Sequence, residues 1–147
     1  EFAGQFRNVM NTYFSTKKSL YHYISMAEGN YREFLRGANV KAKKYFYVMR
    51  PVLACRWILE KGTPPPMRFT ELMAAELPGT LHSEMEHLLE LKMNAPEIKE
   101  IPRIDVLNEY LDTSITEIKN LLLDMDDTKK MEWEILNQMF LKFISVN

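Results

Sequence analysis

The stretch S-L-Y-H-Y-I-S-M-A-E-G-N-Y-R-E-F-L-R-G, Ser19 to Gly37, followed by V-K-A-K-K-Y-F-Y-V-M-R-P-V-L-A-C-R-W-I, Val40 to Ile58, decides the fold. In the first segment Leu20, Ile24, Ala27, Tyr31 and Phe34 step by four and three, as one face of an α-helix does. Ser15 or Thr16 is expected to cap its start, and Gly37 to serve the reversal after it. Tyr45, Val48, Val52, Cys55 and Leu59 repeat the pattern in a second helix that should end near Lys61-Gly62. The short Gly37–Asn39 turn makes the two antiparallel neighbours.

Outward from this pair, Pro64-Pro65-Pro66 enforces an extended connector, because proline fixes φ and restricts the residue before it. Thr70 to Ala75 reads as a short helix, Pro78-Gly79 as a break, and Thr80 to about Met93 as another helix. Pro102 starts a segment striped by Ile104, Leu107, Leu111, Ile115, Ile118 and Leu122. A last helix is expected from Asp127 or Thr128, carrying Leu136, Met139, Phe140 and Phe143. No run alternates as a strand would. The expectation is all-α: one domain over residues 1–147, a compact bundle of about six helices with no sheet.

With 147 residues, 46% of them hydrophobic, the chain is long enough for a real core. No run approaches the roughly 20 apolar residues of a membrane span, and no secretory signal is visible. One cysteine, Cys55, excludes an internal disulfide framework, so a reducing, cytoplasmic setting is the expectation. The chain begins at Glu1 rather than Met, as a fragment or a processed product would. The net charge of −1 hides a split: residues 1–68 hold 12 Lys and Arg against 4 Asp and Glu, and residues 69–147 hold 7 against 16. The basic half suits an anionic partner such as phosphate, although the halves would also complement each other when packed.

At 100° per residue, Lys43, Tyr47 and Arg50 share a narrow strip of the second helix, with Lys44 beside it. Cations flanking a tyrosine suit an anionic, ring-containing ligand, since cations meet phosphate and the ring stacks on a base. A solvated helix face would carry the same residues. Pro51 lies within this helix and removes one backbone hydrogen bond. Arg56 falls on the apolar side and so requires a carboxylate or several carbonyls, which makes a structural ion pair its expected role. On the preceding helix His22, Met26, Asn30 and Glu33 form a column. His22 could be a general acid or a phosphate ligand, or a hydrogen-bonded packing residue.

Several motifs fall short. Asp124-Met125-Asp126 has the D-x-D spacing of metal-holding transferases, yet it lacks a Gly-Ser turn upstream and reads as the acidic end of one helix before the next. Glu84-x-x-His87 lacks the second copy and extra glutamates of a di-iron site, so no metal site is assigned. Cys55 sits on the apolar stripe as a small core residue.

S-T-K-K-S-L-Y-H-Y-I-S-M-A-E-G-N-Y-R-E-F-L from Ser15, the Val40–Ile58 block, P-P-M-R-F at Pro65 and, more weakly, P-R-I-D-V-L-N-E-Y-L at Pro102 carry a resemblance. The chain resembles the C-terminal half of a nucleotidyltransferase family of the DNA polymerase β superfamily, typified by the bacterial YcgL-like proteins. In that family an N-terminal α/β half carries a G-S-R-style turn and an S-D-x-D metal motif, neither of which is in this chain. The resemblance implies a helical region that packs on the missing catalytic half and helps bind the nucleotide or the acceptor, with no catalysis by itself. Mg and a nucleoside triphosphate would belong to the full-length protein. The family pattern draws attention to Tyr21, His22, Asn30, Lys43, Lys44, Tyr47, Arg50 and Arg56. His22, Lys43, Lys44, Tyr47 and Arg50 are the candidate nucleotide- or phosphate-binding residues; Asn30 and Arg56 are candidate structural polar residues. The alternatives are a nucleic-acid-binding module and a protein-interaction helical module. No arginine precedes His22, His82 or His87 at the R-x4–6-H spacing of the helical ribonucleases that accompany small nucleotidyltransferases.

Overall fold

The computed structural model describes the backbone of residues 2–95, 97 and 100–146; within its two long helices it describes the side chains of residues 3–8, 15–34, 105–125 and some of 134–142. The elements run α1 (Phe2–Phe34), β1 (Asn39–Lys41), α2 (Ala42–Lys61), α3 (Phe69–Glu76), a 3₁₀ turn (Gly79–Leu81), α4 (His82–Asn94), β2 (Glu100–Pro102) and α5 (Asp105–Val146). The fold is mostly helical, as the periodicity indicates.

α2 is the central element. Ten of its residues, from Tyr45 to Ile58, are buried, and its neighbours are α1, α3, α4 and α5. A helix covered on most sides must be apolar on most sides; before its last two residues, Glu60 and Lys61, only Lys43, Tyr47 and Arg50 are exposed. Leu20, Ile24 and Ala27 of α1 and Leu107, Leu111, Ile115, Ile118 and Leu122 of α5 close the core, all nearly or fully buried. Pro51 is buried inside α2, and the helix continues on both sides of it. α2 stops at Gly62, which alone among the described residues has positive φ, at 68°, and whose N–H donates to the Ile58 carbonyl (2.9 Å). Gly62, not Gly37, therefore supplies the left-handed backbone that a side chain would strain.

Three boundaries differ from the sequence expectation. α1 runs straight through Ser15 and Thr16, and α5 runs straight through Asp127 and Thr128. Neither stretch contains a proline, and Ser, Thr or Asp inside a helix costs only a few tenths of a kcal/mol. Once a helix is nucleated, each further residue adds a bond, so such a weak stop signal is overrun. The third difference is a small antiparallel pair, in which Asn39 faces Pro102, Val40 faces Ile101 and Lys41 faces Glu100. Three residues per strand are too few to show alternation in a sequence.

A polar cluster joins the end of α1 to the starts of α2 and α5. The Tyr45 hydroxyl donates to Asn108 Oδ1 (2.6 Å) and accepts from the Ile104 N–H (2.8 Å). Asn108 Nδ2 donates to the Leu35 carbonyl (2.6 Å), and the Tyr31 hydroxyl donates to the Asn108 carbonyl (3.4 Å). Burial pushes the Tyr45 phenol above its ordinary pKa, so it stays a neutral donor. Arg103 adds a strap, donating to the Arg36 carbonyl (3.0 Å) and to Asp105 (2.8 Å).

Candidate functional site

Along α2, Lys43, Tyr47 and Arg50 project from one exposed strip, and Tyr47 is 48% exposed. The Lys44 ammonium stands 3.8 Å from the Phe34 ring centroid and 4.5 Å from that of Tyr47. It is thus held by rings from two different helices. Arg50 donates from Nη1 to the Met67 carbonyl (2.9 Å), and its guanidinium lies 5.5 Å from the Phe69 ring. Phe69 in turn meets Phe46 edge-on at 5.4 Å, and Lys92 of α4 stands 5.2 Å from the Phe46 ring. Arg50 therefore also ties the proline connector back onto α2.

His22 does not join this group. It is exposed on α1, twelve residues before Phe34, which is about 18 Å of helix rise. Asn30 Nδ2 donates to the Met26 carbonyl one turn back (2.9 Å), a bond internal to α1. Tyr21 is partly buried against the core.

Arg56 lies about 180° around α2 from Tyr47 and faces α5. It donates from Nη2 to Ser114 Oγ (2.8 Å) and to Glu117 Oε2 (3.2 Å), 5.6 Å from the Tyr110 ring. Its side chain is 29% exposed and that of Glu117 57%, so water screens the pair. A fully buried pair would cost about 3–5 kcal/mol to break. Arg56→Ala should instead lower stability by about 1–2 kcal/mol, through lost packing and a lost bond at Ser114, when unfolding is followed in urea.

Further groups bear on what the chain can do. Cys55 is buried, its thiol pushed up to about 12 by burial and donating weakly to the Leu20 carbonyl (3.7 Å). It is no nucleophile at neutral pH. A cavity of about 190 Å³ opens between α1 and α5, lined by Arg32, Arg36, Asp112 and Lys119 among others. At its edge Lys119 donates to Glu28 (2.6 Å); that hydrogen bond, opposed by partial burial, holds the Glu28 carboxyl below the usual range. The sequence shows only the Glu28–Arg32 spacing of this cluster, because Lys119 arrives from 91 residues away. Phe34 and Phe69, the ring partners of the strip, were likewise hidden, since each depends on how two elements cross.

Among the described residues, no group of three or more His, Cys, Asp or Glu side chains is placed to hold a metal ion. The α5 backbone puts positions 124 and 126 about 200° apart around the helix; the side chain of Asp126 lies outside the described residues. The triplet sits inside α5 rather than at its end. None of the described helices is long and apolar enough to cross a membrane.

The fold is thus a mostly helical scaffold that exposes a strip of cations and rings along α2. The chain belongs to the RNA repair pathway DNA polymerase beta family, whose family model matches residues 1–142. It is also similar to the uncharacterized protein YcgL of Bacillus subtilis (strain 168), with 42% identity over 145 residues. That match covers 97% of this chain and 55% of YcgL, so the chain spans about half the length of the curated relative. No solved structure matches.

Proposed function

We propose that this chain is the helical, C-terminal part of a nucleotidyltransferase, and that it helps bind the nucleotide or the acceptor without catalysing transfer by itself. The observation that carries this reading is the exposed Lys43–Tyr47–Arg50 strip on the central helix, ten of whose residues are buried, in a chain of a DNA polymerase β family. Lys43 and Arg50 would neutralise phosphate oxygens, and the half-exposed Tyr47 ring would take the face of a base. Lys44 would add a third cation once released from its rings. No step is routed through a metal here. In this proposal, the metal-holding carboxylates belong to a catalytic part outside this chain.

The test is transfer of labelled nucleotide by the full-length protein with Mg and a nucleoside triphosphate. Lys43→Ala with Arg50→Ala should lower kcat/KM by roughly 10- to 100-fold, the loss expected from two charge-assisted contacts. Helical content should be unchanged, and this chain alone should transfer nothing. Equal activity in the double variant would reduce the strip to a solvated face. A second reading, a nucleic-acid-binding module, draws on the basic first half of the chain. It requires polynucleotide binding that falls steeply with salt in a protein without transferase activity.

A further inference from the structure

We propose that the Phe34–Tyr47 ring pair is a stacking slot for one unpaired base of a single-stranded nucleic acid, with Lys44 as its resting occupant. This rests on the reading of the strip given above and makes the bound acceptor a strand rather than a mononucleotide. Three observations lead there. The first is the double contact of Lys44, whose ammonium meets rings from α1 and α2 at 3.8 and 4.5 Å. Lys61 and Lys92 also lie over rings, but each over one, at Trp57 and Phe46, among the described residues. Two rings sharing one cation face a common space, and that space is where a flat group could enter.

The second observation is exposure. Tyr47 is 48% exposed and Phe34 partly so, which leaves the tyrosine ring free to swing and widen the slot. An exposed cation–π contact is weaker than the stacking of a base on a ring, so a base can displace the ammonium. The ammonium remains tethered beside the slot, where it can meet the phosphate of the nucleotide it admits.

The third is the layout of charge. Lys43 and Arg50 follow the α2 axis, seven residues or about 10.5 Å apart, with Tyr47 between them. A row of cations interleaved with rings suits a backbone running along it, whereas one triphosphate needs donors converging on a point. The cavities between α1 and α5 are not lined by these residues.

The experiment is fluorescence anisotropy of a labelled oligouridylate of about ten residues, titrated with this chain at two salt concentrations. Tyr47→Ala should weaken binding roughly 5- to 100-fold, and Phe34→Leu should weaken it in the same direction. Tyr47→Phe should stay within about twofold of the unaltered chain. An oligomer with abasic positions should bind Tyr47→Ala and the unaltered chain alike. Lys44→Met should lower the salt slope by about one. No measurable binding of the oligomer, full binding by Tyr47→Ala, or equally tight binding of uridine monophosphate or a blunt duplex would overturn the slot. If Lys43→Ala with Arg50→Ala abolishes binding while Tyr47→Ala does not, the slot falls and the cationic strip stands. If neither variant weakens binding, both readings fall.

Discussion

Replacing Asn108 by alanine should destabilise the protein by about 2–5 kcal/mol, although no ligand and no exposed surface is involved. Asn108 is 7% exposed and holds three segments at once through the Tyr45 hydroxyl, the Leu35 carbonyl and, by its own carbonyl, the Tyr31 hydroxyl. Alanine keeps the backbone bond, leaves the Leu35 carbonyl without its side-chain donor and leaves the Tyr45 O–H without its acceptor, though that oxygen still accepts from the Ile104 N–H. A buried hydroxyl or carbonyl left without a partner costs about 1–3 kcal/mol each, more than the bond was worth while made. Equilibrium urea unfolding of Asn108→Ala, Tyr45→Phe and the double variant gives the check. The double should cost at least about 0.5 kcal/mol less than the sum of the singles, since the two groups share one bond. Strict additivity would mean that the Tyr45–Asn108 contact at 2.6 Å contributes nothing specific.

The same cluster shows where sequence reading stops. The apolar faces of α1, α2 and α5 are legible because a helix buries every third or fourth residue, and Leu20, Val52 and Leu111 obey that rule. Lys43, Tyr47 and Arg50 are legible as a strip for the same reason. Asn108 carries no such signal: it is a polar residue in the first turn of α5, where a solvated side chain would look the same. Its partners Tyr45 and Leu35 lie 63 and 73 residues away. Phe34 beside Lys44, and the Met67 carbonyl beneath Arg50, were hidden by the same limit, for periodicity describes one helix at a time. The cap residues Ser15 and Thr16 misled in the opposite sense, because they mark helix starts only where the preceding chain cannot be helical.

Leu111→Ala should cost about 3–4 kcal/mol, and Leu123→Ala on the same helix should stay within about 0.5 kcal/mol. Leu111 is fully buried on the stripe of α5 that faces the core, whereas Leu123 is 60% exposed. Truncating the first removes apolar burial and leaves a cavity that close-packed neighbours fill only in part. Truncating the second removes little that was hidden from water. Chemical unfolding of the two variants side by side tests whether this stripe carries the stability of the helix. A loss at Leu123 as large as that at Leu111 would mean that the outward face of α5 is covered in solution. Leu121, 48% exposed, lies about 200° around α5 from Leu123, and farther along the helix Ile135, Met139 and Leu141 are more than half exposed. Leu111→Ala also bears on function, since α5 packs against both helices that frame the Lys44 slot. If the slot depends on that scaffold, the variant should lose oligonucleotide affinity only as far as it unfolds, and a stabilising osmolyte should restore both together.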